Sequence, residues 1–190
     1  MAQNFRFAAG RPCLDLVATV SGRLGGAARD RLDGPEAVAA WLSGAGITTD
    51  AAPSDAEVND LRALREAVYT LLGTRSGHAR ATSKAVDAAV SHINAVAAQT
   101  VPAPRLRVEH GKPVADQIDI TVRDALALLA RDTVDLLSGG DVDRLHQCED
   151  GGCGTYFLDT SRAGKRRWCS SQSCGNRARV NAYRAQQTSR

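Results

Sequence analysis

The sequence has no run of about 18 consecutive apolar residues, so no stretch of it reads as a membrane-spanning helix. Its start, MAQNFRFAAGRPCLDL, lacks the long apolar segment of a secretory signal, which predicts a chain that stays in the cytoplasm. No nucleophile paired with a base, no phosphate-binding glycine loop and no catalytic carboxylate pair stands out, and these shortages argue against an enzyme. Internal repeats and low-complexity tracts are missing as well, beyond a general richness in Ala, so a repeat architecture is not expected.

What is present suits one ordinary core plus a small appended module, for which 190 residues leave room. Four of the five cysteines crowd into 148–174, while Cys13 stands alone in an apolar run and reads as a small buried hydrophobe. The charge is uneven too. Residues 1–147 carry 16 Lys and Arg against 18 Asp and Glu, a net of −2, whereas residues 148–190 carry 8 against 3, a net of +5.

Residues 1–145 read as a mainly helical domain. Asp33 to Glu36 resembles a capping box ahead of Val38, Trp41, Leu42 and Ala45 at helical spacing. A second box, Ser54 to Glu57, opens a longer helix with Leu61, Leu64, Val68, Leu71 and Leu72 in one stripe. A third stripe, Val86, Ala89, Val90, Ile93 and Val96, ends before Pro102 and Pro104. RLRVEHGKPVADQI, with Leu106 and Val108 alternating and Gly111 at its centre, predicts a short hairpin. A last helix over about 120–137 carries Leu126, Leu129, Val134 and Leu137 and stops at Gly139 and Gly140. The fold class is therefore α+β, a helical domain with a short β hairpin followed by a small hairpin-plus-helix module over 146–190.

That module has cysteine pairs of C-x4-C form, Cys148 with Cys153 and Cys169 with Cys174. Four thiolates at tetrahedral corners suit one Zn2+, with no position left for water or substrate, so the metal is structural. Gly151, Gly152 and Gly154 let the backbone wrap the sulfurs. Two disulfides would conflict with a reducing compartment, and an iron–sulfur cluster would need a redox role that nothing else suggests. His146 is the one candidate fifth donor and reads better as a solvated neighbour. A hairpin is expected with strands over 156–158 and 167–169 and a turn over 162–165.

A helix starting near Ser173 brings Arg177, Asn181 and Arg184 onto one arc, with Val180 and Tyr183 packing back on the hairpin. Arg and Asn pair in two-pronged fashion with guanine and adenine edges, and Lys165, Arg166 and Arg167 are placed to hold phosphates. These residues make DNA the expected partner. The bland reading is that the arginines offset the formal −2 of a zinc bound by four thiolates, which still leaves the module +3. Asn176, two residues after a ligand, reads as a helix cap and brace of the zinc loop.

CEDGGCGTYFLDTSRAGKRRWCSSQSCGNRARVNAYR resembles the CGNR zinc finger, whose signature is Cys174-Gly175-Asn176-Arg177, and shares its four cysteines, its Phe157-Leu158-Asp159 to Ser161 strand and its Arg167-Trp168-Cys169 return. The region before it is similar to the ABATE domain, described as a stress-induced transcription regulator. CLDLVATV resembles that domain's opening strand, with Leu16 and Ala18 where an aromatic and an Asn are usual, and LRALREAVYTLL resembles its central helix. The resemblance implies a bacterial protein with one structural zinc on Cys148, Cys153, Cys169 and Cys174 and a role in transcription.

Arg11, Asp15 and Arg65, charged among apolar neighbours, are candidates for a pocket that takes a small anion or metabolite; the alternative is a satisfied ion pair plus a solvated arginine. The leading functional expectation is a DNA-binding regulator whose helical domain senses a small-molecule effector or forms a homodimer. The alternatives are a small-molecule or protein interaction module whose finger is purely structural, and an RNA binder that stacks bases on Tyr156, Trp168 and Tyr183.

Overall fold

The computed structural model describes residues 5–116, 118 and 120–188. Residues 1–4 of the quoted start, and Gln117 in the stretch read as a hairpin, lie outside the described residues.

The opening segment is helical where a strand was expected. Pro12, with its fixed φ and missing N–H, starts α1, Pro12–Val17, whose Cys13, Leu14, Leu16 and Val17 are fully buried. Only Val20–Ser21 (β1) is extended, paired antiparallel with Arg29–Asp30 (β2). The first capping box does not form either. α2, Pro35–Gly44, begins at its proline, so Gly34 becomes the N-cap and Ala37, not Glu36, stands at the third helical position.

The central element is α3, Asp55–Ser76, which packs against α1, α2, α4 and α5. Ser54 and Glu57 close the expected capping box, with Glu57 Oε2 accepting from the Ser54 N–H at 2.8 Å, and Gly77 ends the helix at φ +72°. Its apolar stripe is buried as read, together with Val58. On α4, Ser83–Ala97, only Ala89 and Ile93 are buried and Val90 is exposed, because this outer helix is covered along one narrow side. α5, Val122–Ser138, buries Leu126, Leu129 and Leu136, while Val134 is exposed.

β3, Arg105–Glu109, and β4, Lys112–Asp116, form the expected hairpin with Gly111 at φ +74°. Leu106 and Val108 are nonetheless 76 % exposed: the ribbon stands off the core, and its alternation does not mark a buried face.

The final module is joined to the same core. After a short 3-10 turn, Gly140–Arg144, β5, Leu145–Gln147, pairs antiparallel with β6, Tyr156–Leu158. The return leg 167–169 was the expected partner of β6, but it does not pair with that strand; its backbone meets the loop after β5 instead, where the Glu149 N–H donates to the Arg167 carbonyl at 3.0 Å. Tyr156, Phe157 and Leu158 are all buried and share one apolar cluster with the helices. The Tyr69 and Tyr156 rings meet edge to face at 5.5 Å, and the Leu158 N–H donates to the Ala9 carbonyl at 2.8 Å. No helix among the described residues is long and apolar enough to cross a membrane.

Candidate zinc centre and nucleic-acid interface

The donor atoms of Cys148, Cys153, Cys169 and Cys174 all lie within 4.8 Å of one another. The sulfurs of Cys153, Cys169 and Cys174 are 3.6 Å apart pairwise, close to the roughly 3.8 Å edge of a tetrahedron with 2.3 Å zinc–sulfur bonds. Backbone bonds shape the loop, from Cys148 N–H to the Thr155 carbonyl and from Cys153 N–H to the Asp150 carbonyl. At Gly154 the backbone is left-handed (φ +72°), and a side chain would press on Arg23 and Leu24 at 3.0 Å. Gly175 of the signature lies under Trp168, whose ring a Cβ would meet at 3.2 Å.

So close together, four thiols cannot ionise independently. Hydrogen bonds from Cys148 and Cys169 push the Cys153 thiol down, while the bond with Cys148 pushes Cys169 up, and burial helps to push Cys174 up to about 12. A divalent cation removes that conflict by taking all four as thiolates. The four cysteines fit one structural zinc ion. His146 is not part of the sulfur cluster; its ring lies 6.0 Å from that of Phe157.

Asp159, overlooked as a functional group in the sequence apart from its place in the signature strand, organises the loop between the cysteine pairs. It accepts from the Ser161 N–H and the Arg166 N–H, each at 2.8 Å, and a hydrogen bond from the Ser161 side chain foremost, then that from the Arg166 N–H, hold its carboxyl down to about 2.

The second cysteine pair is bridged by a π turn, Ser171–Gly175, which carries Cys174 and leads into α6, Asn176–Thr188. Ser170 caps this turn by accepting from the Ser173 N–H, so the bracing role expected of Asn176 falls to Ser170, and Asn176 is exposed on the first turn of α6. Val180 and Tyr183 do not pack back on the fold but are 39 % and 62 % exposed.

The basic candidates separate by environment. Lys165, Asn181 and Arg184 are exposed. Arg167 is ion-paired with Glu149 at 2.6 Å and its guanidinium lies over the Trp168 ring. Arg177 donates to Asp150 at 2.6 Å and to Cys174 Sγ at 3.3 Å, which ties the helix to a metal ligand while leaving more than half of the side chain in solvent. Arg166 has a different task from the phosphate contact expected of it. Its guanidinium donates to the carbonyls of Ala8, Trp168 and Cys169 and lies 4.3 Å from the Phe157 ring centroid, fastening the module to the N-terminal segment. Tyr156 is fully buried, so it cannot join Trp168 and Tyr183 in one base-stacking platform.

Arg11, Asp15 and Arg65 do not meet in a pocket. Arg11 binds Asp132 and Asp135 of α5, which outweigh the effect of burial and push its pKa up. Arg65, 4 % exposed, grips both Asp30 oxygens at 2.7 Å and also reaches Thr19 and Glu66. Burial opposes the Asp30 charge, but the Arg65 hydrogen bonds prevail and hold its carboxyl below the usual range.

Asp15 accepts from the Ala9 N–H at 2.9 Å. Burial pushes its carboxyl up to about 6, against backbone donation from Ala9 and Ala8 and with help from the charge of Asp132. Because this folded value lies above the ordinary value of about 3.9, Asp15 stabilises the fold most below about pH 4, and that contribution is lost as pH rises through 6. Asp15→Asn is therefore expected to raise the unfolding free energy relative to the wild type at pH 8, by about 1 kcal/mol after allowance for its partial exposure, and to lose that advantage near pH 4. A gap in urea midpoints that stays the same at both pH values would refute this account.

These features define a class: a helical domain whose core runs into a thiolate-held zinc module bearing an exposed basic helix. The chain belongs to the ABATE family, whose model, described as "Putative stress-induced transcription regulator", matches residues 10–140. The CGNR zinc finger model matches residues 144–187. A search of the curated proteins found no match.

Proposed function

We propose that this protein is a DNA-binding transcription regulator in which zinc sets the position of α6, Asn181 and Arg184 read base edges beside Arg177, and Lys165 and Arg167 contact phosphates. The observation that carries this reading is that α6 follows directly on the last cysteine of the cluster and carries Asn181 and Arg184 at exposed positions. A helix covered by the body would have favoured a purely structural finger instead. The family's description supports a role in transcription. The protein is a binding protein rather than an enzyme in this reading, with the helical domain receiving a small effector. One short helix reads few base pairs, so two copies on adjacent half-sites are expected.

Fluorescence anisotropy on duplex DNA tests this. Binding should be measurable at about 50 mM salt and fall steeply by about 200 mM, because phosphate contacts release counterions. The Lys165→Ala, Arg184→Ala double variant should bind more weakly, with a salt slope shallower by about 1 to 2, and keep its full zinc content. Absence of binding to DNA at low salt would remove the proposal and leave the interaction-module reading.

A further inference from the structure

A cleft of about 620 Å³ lies between the N-terminal domain and the zinc module, a volume that suits a small molecule. One wall comes from the N-terminal segment and the β1–β2 region, the other from the zinc loops and the start of α6. Four arginines line it among the described residues: Arg6, Arg29 and Arg31 on the domain side and Arg177 on the module side. The carboxylate in the lining is that of Asp150, already engaged by Arg177 at 2.6 Å. Small residues such as Ala8, Ala18, Gly22 and Ala27 leave the interior open, Ser21 and Asn181 supply neutral polar groups, and Arg6 already donates to Ser173 Oγ at 2.6 Å across it.

Burial, and then the positive charges of Arg6 and Arg29, push the pKa of Arg31 down, so the domain-side guanidiniums feel one another. A zinc ion held by four thiolates contributes a formal −2 and Asp150 another −1, yet four arginines still leave a positive surplus. Arg177, bonded to Cys174 Sγ, already attends to the metal side. Arg29 and Arg31 come from the opposite wall, where planar donors in a confined space suit an oxyanion.

We infer that this interdomain cleft is a binding site for a small anionic ligand bearing a phosphate or carboxylate group, held chiefly by Arg29 and Arg31 with Arg6 and Arg177 closing around it. The pocket sought in the sequence among Arg11, Asp15 and Arg65 thus lies elsewhere, between the two halves of the chain. Its occupant shares Arg177 and Asn181 with the arc that faces DNA, so ligand and DNA compete for them; this coupling rests on the DNA reading, but the site itself does not.

The test uses the zinc-loaded full chain, with inorganic phosphate and citrate as probes in calorimetric titrations at constant ionic strength. Saturable binding of at least one probe is expected, phosphate alone marking a phosphate-bearing ligand and citrate alone a carboxylate. Arg29→Gln, at an exposed position, and the Arg29→Gln, Arg31→Gln pair should weaken it about tenfold or more with zinc content unchanged, while Arg123→Gln, outside the cleft, should not. No saturable binding of either probe, or equal binding by the Arg29→Gln variant, overturns the inference. So does the result that these variants lose only DNA affinity, which would make the cleft a seat for the DNA backbone. Anion binding that persists in a protein with no DNA affinity would uphold the cleft and remove the DNA reading alone.

Discussion

Loss of the metal is expected to destabilise the whole protein and not the last 45 residues alone. Cys169→Ser, or treatment with a strong chelator, should abolish the stoichiometric zinc and lower the thermal midpoint by more than about 15 °C in a single transition, since structural zinc in isolated fingers is worth about 10 kcal/mol or more. The reason is the placement of β6. Tyr156 and Phe157 are fully buried in the cluster formed by the helices, and the zinc loop bonds back to the body through Arg23 N–H to the Cys153 carbonyl and Leu24 N–H to the Gly152 carbonyl. Arg166 adds the bond to the Ala8 carbonyl. Releasing the sulfurs frees the loops on both sides of β6 and loosens one wall of the core. Near-ultraviolet circular dichroism should follow it, because Tyr69 and Tyr156 lose their packing together. Two separated transitions, with the helical domain melting where it did before, would show that the module is only appended. A protein isolated with iron in place of zinc would overturn the metal assignment.

Removal of Arg65 is expected to be strongly destabilising. Arg65→Met keeps most of the apolar stem but deletes both bonds to Asp30 and those to Thr19 and Glu66. Breaking such a pair strands a carboxylate in a partly desolvated place, at a cost of about 3 kcal/mol, or roughly 10 °C for a chain of this length. Arg62 lies 3.7 Å from Asp30 and would relieve part of that loss. The Asp30→Asn, Arg65→Met double variant should recover a good share of it, since no charge is then left behind. A loss below about 0.5 kcal/mol, or no recovery in the double variant, would show that the clamp between β2 and α3 is unimportant.

Much of this molecule is legible in short stretches. Ser54 and Glu57 announce the central helix because a capping box involves only residues three apart, and Leu61, Leu64, Val68 and Leu72 declare its buried side through helical period alone. The metal centre is equally plain, because four thiols in one short segment leave few alternatives in a reducing setting. Leu106 and Val108 mark the limit of such reading. Their alternation identifies a strand but does not reveal whether a core lies beneath it.

The sequence by itself determined the helices after the opening segment, the turn-forming glycines and the four zinc ligands, since each depends on groups within a few residues or on one kind of donor. The tertiary structure alone decided the partner of β6, the helical course of the opening segment and the fate of each arginine. A guanidinium is the same group whether it meets carbonyls, as at Arg166, carboxylates, as at Arg11 and Arg65, or an interdomain cleft, as at Arg29 and Arg31. Those environments are assembled by contacts between residues far apart along the chain, and no local pattern encodes them.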